Sequence, residues 1–138
     1  MTFAFKNLGP RAIIFFAALL LGGCQSERLA LDGAVFGPVW KVQTLNGKPF
    51  SARATLQFSE NGQVSGKGPC NRYFGPVEIT GSDITIGPVA STKMACLDLS
   101  DEQEYLTALE SVTELKVSAG QLMLGEASGW ALTFLKDN

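Results

Sequence analysis

Hydrophobic and polar residues alternate in short runs along most of the chain from Pro38 onward. Trp40, Val42 and Thr44 show the pattern first, with polar residues between them. A period of two is typical of strands that bury one face. Asn-Gly pairs at 46–47 and 61–62 favour tight turns because both residue types tolerate a positive φ. The pattern predicts short antiparallel strands joined by hairpins.

Further runs of this kind follow down the chain, separated by turns at Gly81, Gly120 and Gly129. Their apolar members are Ala54, Leu56 and Phe58, then Val77 and Ile79, Ile84 and Ile86, Leu115 and Val117, Leu122 and Leu124, and finally Trp130, Leu132 and Phe134. The pair Val77–Ile79 and Ile84–Ile86 around Gly81 predicts one hairpin.

A helical period replaces the alternation after Ser100. Ser100 is a suitable N-cap, and the acidic residues of the first turn suit the positive end of the helix dipole. The apolar residues that follow at helical spacing are Tyr105, Leu106, Leu109 and Val112. A solvated polar face explains the five carboxylates on or beside this helix, which are Asp101, Glu102, Glu104, Glu110 and Glu114.

These elements predict a mainly β fold with one helix, of the α+β class. The expected architecture is a small, strongly bent antiparallel sheet or partly open β-barrel of about seven to eight strands, covered on its open side by the helix. We expect Trp40, Phe58, Leu109 and Trp130 to pack the core. Whether that core is dry or contains an apolar ligand cavity stays open.

The first 23 residues have a different composition from the rest. Lys6 and Arg11 precede ten unbroken apolar residues, 12–21, which are too few to cross the ~30 Å hydrocarbon core of a bilayer. This is the pattern of a secretory signal peptide. We therefore predict a signal peptide over residues 1–23.

The signal ends in Leu-Leu-Gly-Gly followed by Cys24, which resembles the bacterial lipobox, whose cysteine is acylated after cleavage. The alternative is an ordinary secretory signal with an incidental cysteine. Acylation at Cys24 would anchor the protein to a membrane without spanning it. Residues 24–37 are then a tether, from which Leu29, Leu31 and Phe36 could pack back onto a domain of residues 38–138. Gln25, where Asp would resemble an inner-membrane retention signal, favours the periplasmic face of the outer membrane.

Charge and composition exclude several classes of function. The net charge is −2, and residues 24–138 carry −4 without a basic stripe, which argues against nucleic-acid binding. The sequence contains no histidine, which removes Ser-His-Asp and Cys-His pairs, histidine-based zinc motifs and the commonest general base. We predict a protein that is not an enzyme and has no cofactor and no metal site.

Two cysteines, Cys70 and Cys96, remain when Cys24 is assigned to the lipid. In an oxidising compartment an even pair predicts a disulfide. Closing a loop of about 27 residues would stabilise the fold by roughly 3.5 kcal/mol. The alternative is a redox or metal pair, but the sequence has no Cys-x-x-Cys motif and no zinc-ligand spacing.

The segment from Gly62 to Gly75, with Cys70-Asn71-Arg72-Tyr73 at its centre, resembles the META domain, the HslJ-like family of bacterial envelope proteins. Ala90-Ser-Thr-Lys-Met-Ala-Cys96 and Glu104-Tyr-Leu-x-Ala-Leu109 carry the same resemblance, which extends over about residues 38–135. Pro69 stands where the family usually has Gly. The resemblance implies a small β-barrel-like fold with one helix, no established enzymatic activity, and an association with envelope stress and antibiotic tolerance. It also implies similarity to the fold of secretion-system pilot lipoproteins.

The motif residues have two interpretations. In one, Asn71, Ser91 and Thr92 satisfy backbone groups around the disulfide. In the other, a polar recognition patch binds an anion or a partner's carboxylates through its two cations. The residues of this predicted patch are Asn71, Arg72, Tyr73, Thr92 and Lys93.

Two functions follow as hypotheses. The first is a non-enzymatic outer-membrane lipoprotein that serves as a binding or structural module for another envelope protein in the stress response or antibiotic tolerance. The second is a pilot-like lipid or small-molecule binding protein that assists a secretion system. A dry core favours the first, and a connected apolar pocket favours the second.

Overall fold

A computed structural model describes residues 33–97 and 99–138. The predicted signal peptide, Cys24 and residues 24–32 of the predicted tether, with Leu29 and Leu31, lie outside the described residues. Within those two described ranges, no helix is both long enough and apolar enough to cross a membrane.

The described residues form ten strands and one main helix. The elements are β1 (Trp40–Leu45), β2 (Lys48–Pro49), β3 (Thr55–Ser59), β4 (Gln63–Lys67), β5 (Arg72–Thr80), β6 (Asp83–Ile86), β7 (Ala90–Ser91), α1 (Leu99–Ser111), β8 (Glu114–Ser118), β9 (Gln121–Glu126) and β10 (Gly129–Lys136). The helix begins at Leu99, so the prediction that Ser100 is the N-cap is wrong, because Ser100 already lies in the first turn.

Eight of these strands close into an antiparallel barrel. The order around it is β10-β9-β8-β6-β5-β4-β3-β1, and β1 pairs back to β10. The two-residue strands β2 and β7 add to β1 and β5. The prediction of a mainly β barrel with one helix is confirmed. The barrel is closed rather than partly open because β10 follows β1 from Trp40 opposite Lys136 to Leu45 opposite Leu132.

The turn chemistry explains the hairpins. Asn46 and Gly47 both have positive φ, 51° and 74°, and they form the two-residue loop between β1 and β2. That is the type I′ geometry that an Asn-Gly pair favours. The second Asn-Gly pair lies in the three-residue loop 60–62 between β3 and β4. Within this loop only Gly62 has a positive φ.

Inward-facing side chains of the strands and the helix fill the barrel. The largest fully buried ones are Trp40, Tyr73, Tyr105, Phe58, Phe134, Leu56, Ile84, Leu109, Leu122, Leu124, Leu132 and Val35. Trp130 was predicted to belong to the core, and this is wrong, since its side chain is 40% exposed. A β-bulge at Ala131 places Trp130 opposite Gly125 but Leu132 opposite Leu124, so the two side chains face opposite sides of the sheet.

The helix closes one end of the barrel. Glu104 accepts a hydrogen bond from Asn46 Nδ2 in the β1–β2 turn, and Glu110 accepts one from the backbone N–H of Val89. Both partners lie at the end of the barrel where the β4–β5 turn is found. Both carboxylates are exposed, as the predicted solvated polar face requires, and they also attach the helix to the loops at this end.

The described chain enters the barrel at the opposite end. Val35 is buried, and its carbonyl accepts a hydrogen bond from Trp40 Nε1 at 3.4 Å. Phe36 bridges to Phe58 and packs against the core, as predicted. Packing thus starts a few residues before Pro38. Because Trp40 pairs with the C-terminal end of β10, this end of the barrel contains both the start of β1 and the end of β10.

The seam between β6 and β8 is short. Asp83 opposite Glu114 is the one residue pair that joins these strands. Two backbone hydrogen bonds flank that pair, from Ile84 N–H to the Thr113 carbonyl at 3.1 Å and from Leu115 N–H to the Ser82 carbonyl at 2.8 Å. Two carboxylates therefore face each other at the weakest contact between neighbouring barrel strands.

Candidate functional site

The disulfide between Cys70 and Cys96 joins the β4–β5 turn to the loop that precedes the helix. The two Cα atoms lie 5.9 Å apart. Within the turn, the Gly68 N–H donates to the Asn71 carbonyl at 2.7 Å. The disulfide expected from the cysteine count is present in the structure, at the end of the barrel that the helix closes.

Glu102 holds this turn from inside. The side chain is 5% exposed. Its Oε2 accepts the backbone N–H groups of Cys70 at 3.0 Å and Asn71 at 2.5 Å, and its Oε1 accepts Asn71 Nδ2 at 2.7 Å. Glu102 was predicted to be solvated, and this is wrong. Its position three residues before Tyr105 and seven before Leu109 places it on the apolar face of the helix, and that spacing was visible in the sequence.

The side chain of Asn71 also connects the β4–β5 turn to the loop that contains Thr92 and Met94. Its Oδ1 accepts Thr92 Oγ1 at 3.0 Å and the Met94 N–H at 2.7 Å. Thr92 Oγ1 also accepts the N–H of Arg72 at 3.2 Å, and the Thr92 N–H donates to the Arg72 carbonyl at 3.0 Å. The structural role that the sequence interpretation gave to Asn71 and Thr92 is the one these hydrogen bonds show.

Pro69 fits this turn without loss of a hydrogen bond. The N–H groups that the turn uses belong to Gly68, Cys70 and Asn71. Proline has no N–H to donate, and none of these three hydrogen bonds needs an N–H at position 69. The departure from the family pattern at Pro69 is therefore compatible with the same disulfide geometry.

Tyr73 is also a structural residue. Its hydroxyl donates to the Thr55 carbonyl at 2.8 Å and lies 2.9 Å from the Tyr105 hydroxyl, inside the barrel. Burial, reinforced by the neighbouring Tyr105, raises the pKa of Tyr73 well above its ordinary value. Burial likewise raises the pKa of Tyr105, although its hydrogen bond to Tyr73 opposes the shift. Both phenols are therefore neutral and are held as internal hydrogen-bonding groups.

The predicted recognition patch is divided by the structure. Asn71 and Tyr73 are 2% exposed, and their polar side-chain atoms are used internally. Arg72, Thr92 and Lys93 are exposed. Only these last three are accessible to a ligand, and Arg72 projects from the strand face while Lys93 lies on the loop.

A surface cleft of about 470 Å³ lies between the disulfide loop and the helix. Its apolar lining comes from Met94, Leu99 and Leu106, and Lys93 and Gln103 are among its polar lining residues. Met94 is 59% exposed, Leu99 is half exposed, and Leu97 on the same loop is fully exposed. The hydrophobic pattern does not predict this apolar surface, because exposure in a loop has no period. The cleft is suited to apolar side chains of a partner, with a cation beside them.

Within residues 33–97 and 99–138, His, Cys, Asp and Glu form no group of three that could bind a metal ion.

The family model of the META domain matches residues 34–138. No curated protein matches this sequence. An NMR structure of a protein from Burkholderia xenovorans is 26% identical, covers 79% of this chain and 88% of its own, and superposes with a TM-score of 0.57. A second protein solved by NMR is 24% identical, with coverage of 71% and 87% and a TM-score of 0.56.

A crystal structure of a DUF4847 family protein from Bacteroides vulgatus shares the fold at lower identity. It is 14% identical, with coverage of 78% of this chain and 99% of its own and a TM-score of 0.57. Since the sequence identity is this low, the similarity concerns the barrel and not the residues of the site.

Proposed function

The chain belongs to the META domain family, and from that premise we propose that it is a non-enzymatic, lipid-anchored binding module of the bacterial envelope. Cys24 carries the lipid, and the domain lies at the periplasmic face of the outer membrane. Its role there is to hold a partner protein during envelope stress or exposure to antibiotics. The lipobox-like sequence before Cys24 and the absence of histidine support this proposal.

The observation that carries the proposal is the apolar surface on the disulfide loop. Met94, Leu97 and Leu99 are exposed although the barrel interior has buried most of the other large apolar side chains. Exposed apolar side chains beside a cleft, as Met94 and Leu99 are, are typical of interaction sites. The backbone of this surface is held by the disulfide and by the hydrogen bond from Met94 to Asn71. A surface that is apolar and already fixed loses little entropy when it binds a partner.

The position of this surface agrees with an anchor at the N-terminus. The chain enters the barrel beside Phe58 and the start of β1, at the end away from the helix. The disulfide loop lies at the helix end. A lipid on Cys24 would therefore hold one end of the barrel near the membrane and leave the apolar surface turned away from it. That arrangement suits capture of a protein in the periplasm better than capture of a membrane lipid.

The pilot-like alternative requires a compartment for an acyl chain. The barrel interior is filled by aromatic and aliphatic side chains, among them Trp40, Phe58 and Phe134. Four clefts of about 350–550 Å³ lie on the surface of the described residues, and none of them is lined by these three core side chains. Among the clefts of the described residues, the one beside Met94 is lined by the most exposed large apolar side chains, Met94 and Leu99, so a carrier would use the same surface.

Photo-crosslinking in intact cells tests the partner. A crosslinking amino acid at position 97 should give one discrete protein adduct, whereas the matched control at Ser118, exposed near the other end of the barrel, should give none. The adduct should disappear in Met94→Asp and be recovered when the identified partner is tagged and purified. An adduct formed with lipid alone, or equally at both positions, would contradict the proposal.

The anchor is tested separately. Metabolic labelling with a palmitate analogue should label the chain, and Cys24→Ala should abolish the label. Labelled protein should fractionate with outer membranes. Label that persists in Cys24→Ala, or protein found only in the inner membrane, would refute the anchor or its location without affecting the crosslinking result.

A further inference from the structure

A second exposed surface lies on the outer face of the barrel, where β3, β4 and β5 run side by side. Lys67 on β4 stands directly opposite Arg72 on β5, and Ser65 stands opposite Phe74 in the next outward-facing row. Gln57 on β3 is paired with Ser65. These residues line a groove of about 350 Å³, which we call the β4–β5 groove.

The pairing of two cations, Lys67 and Arg72, across this groove is unfavourable for the sheet. Like charges directly opposite each other on neighbouring strands destabilise a sheet. Both side chains are exposed, and within residues 33–97 and 99–138 neither forms an ion pair with a carboxylate. By contrast, Lys41 on the adjacent strand β1 is paired with Asp137. Departures of this kind are expected at functional sites.

The walls and floor of the groove are ordered by the fold. The backbone N–H of Lys67 donates to Thr55 Oγ1 at 3.1 Å, and Gln57 Nε2 donates to the Gly37 carbonyl at 2.8 Å. The second bond holds the segment before β1 along one side of the groove. Phe74, 55% exposed, forms an apolar wall beside the cations.

We infer that the β4–β5 groove binds the phosphate group of an organic phosphate ester. Two neighbouring positive charges match the charge of a phosphate monoester, which is about −1.5 to −2 at neutral pH. Arginine and lysine are the side chains that bind such oxyanions, arginine through two parallel N–H donors. The hydroxyl of Ser65 is a further hydrogen-bonding group, and Phe74 can pack against the organic part. This site is separate from the apolar surface on the disulfide loop.

The test uses the full chain in a non-ionic detergent and NMR signals of the backbone amides. Glycerol 3-phosphate should shift the amides of residues 65–67 and 72–74 in a saturable way, and glycerol should not. Lys67→Ala/Arg72→Ala should weaken that binding at least tenfold. The matched control, Lys48→Ala/Lys116→Ala, removes two exposed lysines elsewhere and should stay within twofold of the wild type.

Thermal unfolding separates lost binding from lost folding. Because the double substitution removes a like-charge pair, the Tm should be unchanged or higher by about 2 °C. Weaker binding in a variant that is at least as stable would assign the phosphate site to these two side chains. Equal shifts with acetate, or unchanged affinity in the Lys67→Ala/Arg72→Ala variant, would overturn the inference.

Two sources of the phosphate ester can be distinguished in the same experiment. Mixed micelles that contain phosphatidic acid, whose headgroup is a phosphate monoester, should displace glycerol 3-phosphate if the natural ligand is a lipid headgroup, and zwitterionic phosphatidylcholine micelles serve as the comparison without net charge. Binding of glycerol 3-phosphate that neither micelle disturbs supports a phosphate site for a free ester. Displacement by both micelles to the same extent would contradict recognition of a phosphate monoester in this groove.

Discussion

Removal of the Glu102 carboxylate should destabilise the domain more than any other single change of a charged residue on the helix. Glu102→Ala leaves three donors without their acceptor, namely the N–H groups of Cys70 and Asn71 and the side-chain amide of Asn71. Each buried donor without a partner costs about 1–3 kcal/mol. Because Asn71 and Glu102 also line the surface cleft, water can reach part of the vacated site. The lower end of the range therefore applies, and we expect a loss of about 3 kcal/mol.

Glu102→Gln is a finer test of the same contacts. The amide oxygen can replace Oε2, but the amide NH₂ then faces Asn71 Nδ2, so two donors point at each other. Rotation of the Asn71 amide would leave the Met94 N–H without its acceptor. One donor stays unsatisfied in either arrangement, and we expect a loss of about 1–2 kcal/mol.

Urea unfolding of the oxidised protein, followed by fluorescence and circular dichroism, measures both losses. Glu104→Ala is the matched control, since Glu104 lies on the same helix but accepts one exposed hydrogen bond from Asn46; its cost should stay under about 0.5 kcal/mol. In a double-mutant cycle, Glu102→Ala and Asn71→Ala should couple by more than about 1 kcal/mol. A Glu102→Ala variant within about 0.5 kcal/mol of the wild type would refute the account of the turn.

Three further predictions concern the barrel itself. Asp83→Asn should raise the free energy of unfolding by about 0.2–1 kcal/mol, because it removes a carboxylate opposite Glu114; urea unfolding measures this, and a loss of stability would contradict it. Gly66→Ala should lower stability by about 1–3 kcal/mol, because a Cβ at Gly66 would collide with the Thr55 carbonyl and the Tyr73 side chain; a neutral result in the same assay would count against it. Folding raises the pKa of Tyr73 and Tyr105 above their ordinary value of 10.0, so stability should be fully present below about pH 10 and fall above it, by up to about 2.7 kcal/mol per pH unit. Phenolate absorbance should then appear together with unfolding, and phenolate in the folded protein would contradict the assignment.

Local features of the fold could be predicted from the sequence because their causes are local. The φ values of Asn46 and Gly47 follow from their residue types, and the burial of Leu56 and Phe58 follows from a period of two. The disulfide between Cys70 and Cys96 follows from an even number of remaining cysteines in an oxidising compartment. The spacing of its apolar residues predicts the helix, which begins two residues earlier than a cap at Ser100 implies.

Features that depend on distant pairing could not be predicted. Closure of the barrel rests on β1 and β10, where the hydroxyls of Thr44 and Thr133 lie 2.6 Å apart across 89 positions of sequence. No turn residue indicates such a pairing. The outward side chain of Trp130 results from a bulge in the same strand pair. The burial of Glu102 was accessible from its spacing to Tyr105, but a carboxylate on an apolar helix face is rarely expected without knowledge of its donors.

Because β1 pairs with β10, the barrel can be completed only at the end of synthesis. Until β10 has left the ribosome and, if the chain is exported, the translocation channel, the edge of β1 opposite β2 and β3 has no partner strand. Its Leu45 and Val42 side chains then have no opposite strand to complete their burial. The chain can therefore form its internal hairpins early but cannot complete the barrel until residues up to Lys136 have appeared. A chain truncated within β10 should therefore have a barrel that is open along one side. Such a chain is a good substrate for proteases, and its open edge can pair with strands of other chains.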